Sequence, residues 1–182
     1  MEVNLSAYDN DWYKPGNAVK RFFWHYTNML FLKSGLFPIY GLKVFLLKMF
    51  GAKIGAAVYI KPYVNIKYPW FLTVGNNVWI GEDVWIDNLA PIIIGDNVCI
   101  SQGALLLTGS HDHTSGSFGL IIKPIILQNG VWVCAKAIVC AGATCHTHAV
   151  ITAGSVVTQN CDAYGIYKGN PAVKIKIRKI TS

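Results

Sequence analysis

A six-residue period of apolar residues dominates this sequence, beginning at Ile54 and continuing almost to the C-terminus. A strand alternates every two residues and a helix every 3.6, so neither element alone produces a period of six. A hexapeptide period is typical of a parallel β-helix, in which short strands stack coil upon coil. The apolar positions in register are Ile54, Ile60, Ile66, Val74, Ile80, Ile86, Ile94, Ile100, Leu106, Leu127, Val133, Val139, Cys145, Ile151 and Val157.

These positions group in threes, which predicts about five triangular coils of 18 residues. The spacing is 20 from Ile54 to Val74 and again from Val74 to Ile94, so two residues are expected to bulge at one corner, at 72–73 and 92–93. The stretch 112–124 contains Gly, Ser and Pro and predicts a loop that leaves the prism. A loop that interrupts a regular solenoid is the expected place for function.

We therefore divide the chain into a helical N-terminal extension (1–53), a β-helix (54–166) with a catalytic loop (108–124), and a C-terminal tail (167–182). Segments 17–32 and 38–50 suit helices, with Asn17 as N-cap and Pro38 at a helix start. One interpretation is that these helices cover the open strand edges of the first coil. The other is that their aromatic and basic residues lie on a membrane surface. Both roles are compatible.

Composition narrows the function classes. An apolar content of 53% is high, which predicts that oligomerisation or membrane contact hides part of the surface. The net charge of +7 suits nucleic acid, anionic lipid or a phosphorylated small molecule, but no nucleic-acid-binding motif accompanies it and nucleic acid is not expected. The polar start predicts no signal peptide, and the apolar run 22–32 is too short to span a bilayer. A cytoplasmic protein is expected, with contact at the inner face of the membrane as an option.

Several strings carry a resemblance to a known family. They are WIGEDVWIDNLAPIIIGDNVCIS (79–101), LTGSHD (107–112), SFGLIIKPI (117–125), AKAIVCAGAT (135–144), ITAGSVVT (151–158) and GNPA (169–172). The chain resembles the hexapeptide-repeat acyltransferases and, within them, the colanic-acid-type polysaccharide acetyltransferases. The resemblance implies a left-handed parallel β-helix, a homotrimer, and acetyl-CoA bound as co-substrate between neighbouring prisms.

The resemblance also implies that a loop histidine acts as catalytic base, and this points to His111. A sugar hydroxyl is a poor nucleophile, and imidazole can accept its proton near neutral pH as the oxygen attacks the thioester. His113 is the rival base, or otherwise orients the acceptor. Asp112 either holds a neighbouring group or is solvated.

For the coenzyme, the resemblance implies contacts along the last two coils. The candidate residues are Trp132, Ala135, Ala153, Gly154, Thr158 and Lys176. Gln159 stands where the family usually has a lysine, so the resemblance does not supply that phosphate contact. The other basic residues near the C-terminus that could replace it are Lys168, Lys174, Arg178 and Lys179.

For the acceptor, Trp85, Asp87, Asn88 and Phe118 could form a sugar platform, because carbohydrates stack on aromatic rings and hydrogen-bond to carboxylates and amides. Alternatively, Trp85 packs at a corner and Asp87-Asn88 forms a turn. His146 and His148, taken with the loop histidines, raise the option of zinc. Their spacing does not fit the zinc enzymes of this fold, and no metal is expected.

The sequence thus predicts an acetyltransferase that moves an acetyl group from acetyl-CoA to a hydroxyl of a sugar or polysaccharide precursor. N-acetylation of an amino sugar is a close variant. A non-catalytic trimeric scaffold and a zinc-dependent, carbonic-anhydrase-like enzyme on the same fold are the alternatives.

Overall fold

In the computed structural model, which describes residues 2–181, the six-residue period corresponds to the buried edge of a parallel β-helix, and the predicted fold class is confirmed. All fifteen apolar positions point inward and are at most 8% exposed. The helices are α1 (Ala18–Thr27), a π-helical turn (Asn28–Leu32), α2 (Tyr40–Met49) and two 3₁₀ turns (Leu5–Ala7 and Pro69–Phe71).

The strands follow in chain order, three to a coil. The first three coils contain β1 (Lys53–Ile54), β2 (Tyr59–Ile60), β3 (Asn65–Ile66), β4 (Leu72–Val74), β5 (Trp79–Ile80), β6 (Trp85–Asp87), β7 (Ile92–Ile94), β8 (Cys99–Ile100) and β9 (Leu105–Leu107). A hairpin of β10 (Gly109–His111) and β11 (Leu120–Ile122) follows. The remaining strands are β12 (Ile125–Leu127), β13 (Trp132–Val133), β14 (Ile138–Cys140), β15 (Thr144–Cys145), β16 (Val150–Ile151), β17 (Val156–Val157), β18 (Gly165–Gly169) and β19 (Ala172–Ile177).

These strands form three faces of a prism. The first sheet has the order β1-β4-β7-β12-β15, and the third has the order β3-β6-β9-β14-β17. The second sheet runs β2-β5-β8-β13-β16-β18 and ends with β19, which pairs antiparallel to β18. Register is kept along each face, so that Val74 pairs with Ile54 on one side and Ile94 on the other. The stack therefore contains five complete coils and, through β18, the start of a sixth.

Two details differ from the sequence prediction. Residues 72–73 and 92–93 do not bulge, because they belong to β4 and β7. The extra residues lie before these strands, at the corner between the third and first sheets, where a 3₁₀ turn occupies Pro69–Phe71. The residues expected as a tail form β19 up to Ile177. The corner with the extra residues is also where the 108–124 excursion begins, in the third coil.

A ladder of Asn and Asp side chains fixes the corner between the first and second sheets. The Oδ1 of Asn76 accepts from the N–H of Ala56, that of Asp96 from Asn76 at 2.6 Å, and that of Asn129 from Asp96 at 2.9 Å. Each side chain thus satisfies a backbone donor of the coil before it. This ladder explains the Gly-Asn and Gly-Asp pairs that follow the apolar positions at this corner.

The N-terminal helices cover the open end of the first coil. Trp24 on α1 donates its Nε1–H to the carbonyl of Ile66 at 2.9 Å, and Lys43 on α2 donates from Nζ to the carbonyl of Lys61 at 2.8 Å. Asn28 donates to the side chain of Asn65 at 2.8 Å. Asn17 caps α1 as predicted, whereas Pro38 precedes the first residue of α2 by two positions. Among the described residues, no helix combines the length and apolar character needed to cross a membrane.

Candidate functional site

His111 ends β10 on the excursion that leaves the third coil. Where the sequence predicts a loop that leaves the prism, the chain forms an antiparallel hairpin, with His111 opposite Leu120. The Nδ1 atom of His111 lies 3.0 Å from the carbonyl oxygen of Phe118. A carbonyl can only accept, so Nδ1 carries the hydrogen in this contact. A neutral imidazole held in this way presents the lone pair of Nε2 as its basic site.

Phe118 also packs its ring against His111. The two rings are stacked with centroids 4.4 Å apart and an interplanar angle of 9°. Phe118 adopts φ of 53°, a left-handed conformation that is uncommon for a large side chain. The ring of Tyr8 contacts His111 with a centroid distance of 5.6 Å. The imidazole is therefore oriented by one hydrogen bond and by contacts with two aromatic rings.

The neighbouring loop residues do not share this role. Asp112 accepts hydrogen bonds from the backbone N–H of Thr114 at 2.9 Å and from its hydroxyl at 2.6 Å, and these bonds lower the pKa of the Asp112 carboxyl. Asp112 thus stabilises the loop turn and has no hydrogen bond to His111 within residues 2–181. His113, the rival base, is exposed to solvent.

His111 lines a cavity of 570 Å³ whose other wall is formed by the N-terminal arm, which we define as residues 4–16. The N–H of Asn4 donates to the carbonyl of Gly116 at 2.8 Å, and the Tyr13 hydroxyl donates to the carbonyl of Leu89 at 2.7 Å. Trp70 donates to the carbonyl of Pro15 at 3.0 Å. Sequence reasoning missed this arm, because its contacts are single long-range hydrogen bonds without any periodic signal.

Of the predicted acceptor residues within β6 and just after it, two line a cavity and one is fully buried. Trp85, which is 46% exposed, and Asp87 line a second cavity of 390 Å³, where Asp87 forms an ion pair with Lys67 at 2.9 Å. The two cavities share Arg21, Lys67 and Tyr68.

Asn88 is wrongly predicted as a substrate contact, because its side chain is fully buried. Its amide nitrogen donates to the carbonyl of Tyr68 at 2.6 Å, and its amide oxygen accepts from the N–H of Tyr68 at 2.9 Å. Asn88 is a structural clip between adjacent coils and does not face either cavity.

Four of the predicted coenzyme residues lie on the second sheet or at its corner with the third. Trp132 is exposed on β13 and donates to the Ser101 hydroxyl at 3.0 Å. Ala135 lies at the corner one coil before Ala153 and Gly154, and the N–H of Gly154 donates to the Ala135 carbonyl at 3.0 Å. Nothing lies within 4 Å of a Cβ built on Gly154, so this corner is open to an approaching molecule.

Thr158 follows β17 and therefore lies at the opposite edge of the third sheet from these four residues. Lys176 lies on β19, opposite Ile166, and lines a cavity of 580 Å³ together with Arg178 and Lys179. One protomer thus distributes the predicted coenzyme residues over the second sheet and both edges of the third.

Part of the basic C-terminal segment is occupied by intramolecular contacts. Lys174 forms a 2.9 Å ion pair with Asp162, and hydrogen bonding between them lowers the pKa of Asp162 and raises that of Lys174. Arg178 donates to the carbonyls of Gly130 at 3.0 Å and His148 at 3.3 Å. Lys176 has no acidic partner within the part of the chain that the structure describes, and its charge is available to a ligand.

The remaining titratable groups do not converge on the hairpin. His148 packs against Tyr164 with ring centroids 4.9 Å apart. Across residues 2–181, no three side chains of His, Cys, Asp or Glu come together in the manner of a metal site. Burial raises the pKa of the Cys134 and Cys140 thiols, which disfavours the nucleophilic thiolate.

Comparison with known proteins gives close relatives, although no family model matches the chain. It is 39% identical over 166 residues to the Escherichia coli K12 protein named "Putative colanic acid biosynthesis acetyltransferase WcaF", covering 91% of each chain. It is 28% identical over 134 residues to the galactoside O-acetyltransferase of the same strain, covering 72% of this chain and 66% of that protein.

Solved structures with a similar fold include two acetyltransferases. A hexapeptide-repeat acetyltransferase of Vibrio cholerae O1 biovar eltor, complexed with acetyl coenzyme A, superposes with a TM-score of 0.82 at 22% identity, covering 92% of this chain and 93% of that one. A maltose O-acetyltransferase of Clostridium difficile 630 superposes with a TM-score of 0.75 at 25% identity, covering 89% and 88%.

Proposed function

Because this chain belongs to the hexapeptide-repeat acetyltransferases, we propose that it transfers an acetyl group from acetyl-CoA to a hydroxyl of a sugar or polysaccharide precursor, with His111 as general base. The observation that carries the proposal is the orientation of His111, whose Nδ1 is engaged by the Phe118 carbonyl at 3.0 Å. Nε2 is the nitrogen left for an acceptor hydroxyl in the 570 Å³ cavity. Relatives named as colanic acid and galactoside acetyltransferases support a sugar acceptor.

The reaction follows from this arrangement. Nε2 of His111 takes the hydroxyl proton as the acceptor oxygen attacks the thioester carbonyl carbon. The tetrahedral intermediate collapses with cleavage of the carbon–sulfur bond, and the imidazolium returns its proton to the thiolate of CoA. The Phe118 carbonyl stabilises the imidazolium in between, because it accepts the Nδ1 hydrogen in both protonation states. No covalent intermediate on the enzyme is required.

Acetyl-CoA binds, in this proposal, along the open corner formed by Ala135, Ala153 and Gly154. Trp132 lies beside the pantetheine chain of the coenzyme, and Thr158 contacts the coenzyme from the far edge of the third sheet. The small side chains at the corner let backbone groups approach the pantetheine chain closely. Lys176 binds a phosphate group, since no acidic side chain within residues 2–181 neutralises it.

The chain forms a homotrimer in this proposal, with the groove for acetyl-CoA between neighbouring prisms. The outward positions of the second sheet support this, because Tyr59, Trp79 and Trp132 are 44%, 63% and 43% exposed. Aromatic residues in a row on one face are typical of surfaces that another chain covers. Sedimentation equilibrium should give three times the mass of the 182-residue chain, and Trp79→Glu should lower it. A wild-type monomer would contradict the trimer.

The N-terminal helices contact the inner face of the membrane from the cytoplasm in the same proposal. The exposed apolar residues of α1 and its π-helical extension include Val19, Phe22, Phe23, Met29 and Leu30, which form a surface suited to the lipid interface. Flotation with vesicles of phosphatidylglycerol and phosphatidylcholine tests the contact. A Phe22→Ser, Phe23→Ser variant should float less than wild type, and equal flotation, or none by either, would contradict it.

The central experiment combines binding and turnover. Acetyl-CoA is titrated calorimetrically into wild type, His111→Ala and the matched loop control His113→Ala, and thiol release is then measured with hydroxyl and amino sugars. We expect all three to bind acetyl-CoA, with turnover lower by about 100-fold or more only in His111→Ala. Equal loss in both variants would refute His111 as the base. If wild type does not bind acetyl-CoA, the scaffold or zinc alternatives gain support.

A further inference from the structure

The cavity that contains His111 is basic. Its lining includes Lys14 from the N-terminal arm, Arg21 from α1 and Lys67 after β3, and none of its lining residues is Asp or Glu. Within residues 2–181, no carboxylate lies within 4.0 Å of the Lys14 ammonium or the Arg21 guanidinium. Lys67 is paired with Asp87 at 2.9 Å, so Lys14 and Arg21 carry the uncompensated charge.

Two separate segments carry Lys14 and Arg21, and each segment is anchored. Asn17 caps α1 through its contact with the N–H of Val19 at 2.8 Å, which fixes the first turns of the helix that carries Arg21. The arm that carries Lys14 is held on either side by the Tyr13 hydroxyl at Leu89 and by the Pro15 carbonyl at Trp70. The backbones that carry both cations are thus fixed in place around the cavity.

Tyr13 shows how close the charged groups are. Burial raises the pKa of its hydroxyl well above the usual value of 10.0, Tyr68 and Asp87 raise it further, and the Arg21 charge acts in the opposite direction. Arg21 and the Lys67–Asp87 pair therefore share one electrostatic environment with Tyr13. Tyr13 itself stays neutral as a hydrogen-bond donor and does not compensate the cations.

We infer that the acceptor carries an anionic group, a carboxylate or a phosphate, on or beside the sugar whose hydroxyl faces His111. The inference rests on the proposed function and names the substrate class of the same cavity. A charged group on the acceptor would bind Arg21 through a planar pair of N–H donors, which suits both carboxylate and phosphate oxygens. Lys14 would contribute a second, more mobile contact.

The phosphates of CoA compete with the acceptor as the ligand of Lys14 and Arg21, but a separate basic cavity is available to them. Lys176 and Lys179 line a different cavity of 580 Å³, on the second sheet at the C-terminal end of the stack. Arg21 instead borders the second cavity, which continues past Lys67 to Trp85. Arg21 and Lys67 therefore connect the His111 cavity to a groove that follows α1, where a sugar could stack on Trp85 next to its charged neighbour.

The test measures affinity for matched acceptors. Methyl β-D-glucuronide and glucose 1-phosphate are each compared with methyl β-D-glucoside by calorimetric titration and as acceptors for thiol release. We expect wild type to prefer one charged sugar over the glucoside by about tenfold or more. The glucuronide and glucose 1-phosphate arms distinguish a carboxylate from a phosphate. Equal affinity for charged and neutral sugars, or no binding of either charged sugar, would overturn the inference.

Variants test whether the preference for a charged acceptor arises from the cations that line the His111 cavity. Arg21→Gln and Lys14→Gln should each reduce the preference by raising the KM of the charged acceptor, while kcat and acetyl-CoA affinity stay at wild-type values. Lys53→Gln, which makes the same charge change on an outward position of β1, should keep the full preference. Weaker acetyl-CoA binding by Arg21→Gln would instead assign these cations to the coenzyme and refute the inference. Failure of the proposed function would give a different result, because wild type would then not bind acetyl-CoA at all.

Discussion

Phe118 holds His111 through two different parts of the same residue, its carbonyl oxygen at 3.0 Å from Nδ1 and its ring stacked at 4.4 Å on the imidazole. The left-handed backbone of Phe118 accompanies this double contact. Strained conformations of this kind cost about 1–3 kcal/mol and persist where the surrounding structure fixes them, often at functional sites. The carbonyl sets the tautomer of His111, and the ring limits its rotation.

Replacing Phe118 by Gly should separate these two contacts. Glycine adopts a positive φ without strain, so the carbonyl can remain in place while the stacked ring is lost. We expect kcat to fall by about tenfold, because a less restrained imidazole spends less time in the productive orientation. Acetyl-CoA affinity should be unchanged. Phe118→Tyr, which keeps the ring, is the control, and an unaltered kcat in Phe118→Gly would show that stacking is irrelevant to turnover.

Deleting residues 2–14 should remove one wall of the His111 cavity without unfolding the protein. No residue in this segment is buried, so the core of the β-helix should not change. We expect a melting temperature close to that of wild type and a KM for the acceptor raised by about tenfold or more. Tyr13→Phe, which loses only the bond to Leu89, should show a smaller effect of the same sign. An acceptor KM equal to wild type in the deletion variant would contradict this role.

Lys43 should stabilise the open end of the first coil. Its side chain is fully buried, and Nζ donates to the carbonyls of Lys61 at 2.8 Å and Ile60 at 3.3 Å. Lys43→Met keeps most of the volume but leaves these acceptors without a donor, so the free energy of unfolding should fall by about 1–3 kcal/mol. Lys48→Met on the exposed side of α2 is the control, expected within about 0.5 kcal/mol of wild type by urea denaturation.

The same lysine should give a pH signature. Burial lowers the pKa of Lys43 below its usual 10.5, so the unfolded chain retains this proton to higher pH than the folded protein. The free energy of unfolding therefore rises with pH between the lowered pKa and 10.5, and this contribution is lost as pH falls through the folded pKa. Denaturation from neutral pH upward should show the wild type gaining stability relative to Lys43→Met. A constant difference between the two proteins would exclude the effect.

The β-helix could be predicted because one inward position recurs every six residues, and each such position must be apolar to be buried. The spacing between coils gives the number of extra residues but not their location. For this reason 72–73 were expected to bulge, whereas the extra residues lie just before them, in the corner that contains the turn at 69–71. His111 could be located from its motif, whereas its partners could not. No sequence pattern around Tyr8 or Tyr13 indicates that the N-terminal arm contacts the hairpin and Leu89.

Gly130 and Gly154 should respond differently to the same substitution. Both have positive φ, 71° and 69°, so alanine at either position costs about 1–2 kcal/mol in backbone conformation. A Cβ on Gly130 would also overlap the imidazole of His148, whereas Gly154 has nothing within 4 Å. Gly130→Ala should therefore lose about 1–3 kcal/mol more than Gly154→Ala by urea denaturation.

A second substitution tests whether the larger loss of stability in Gly130→Ala arises from contact with the His148 imidazole. Adding His148→Ala should restore part of the stability lost in Gly130→Ala, because it removes the atoms that the new Cβ meets. The same addition should not help Gly154→Ala, since no contact joins Gly154 to His148 at this open corner. If the two glycine variants are equally destabilised, or if His148→Ala affects both backgrounds alike, the excess does not arise from the clash and the packing argument for Gly130 fails.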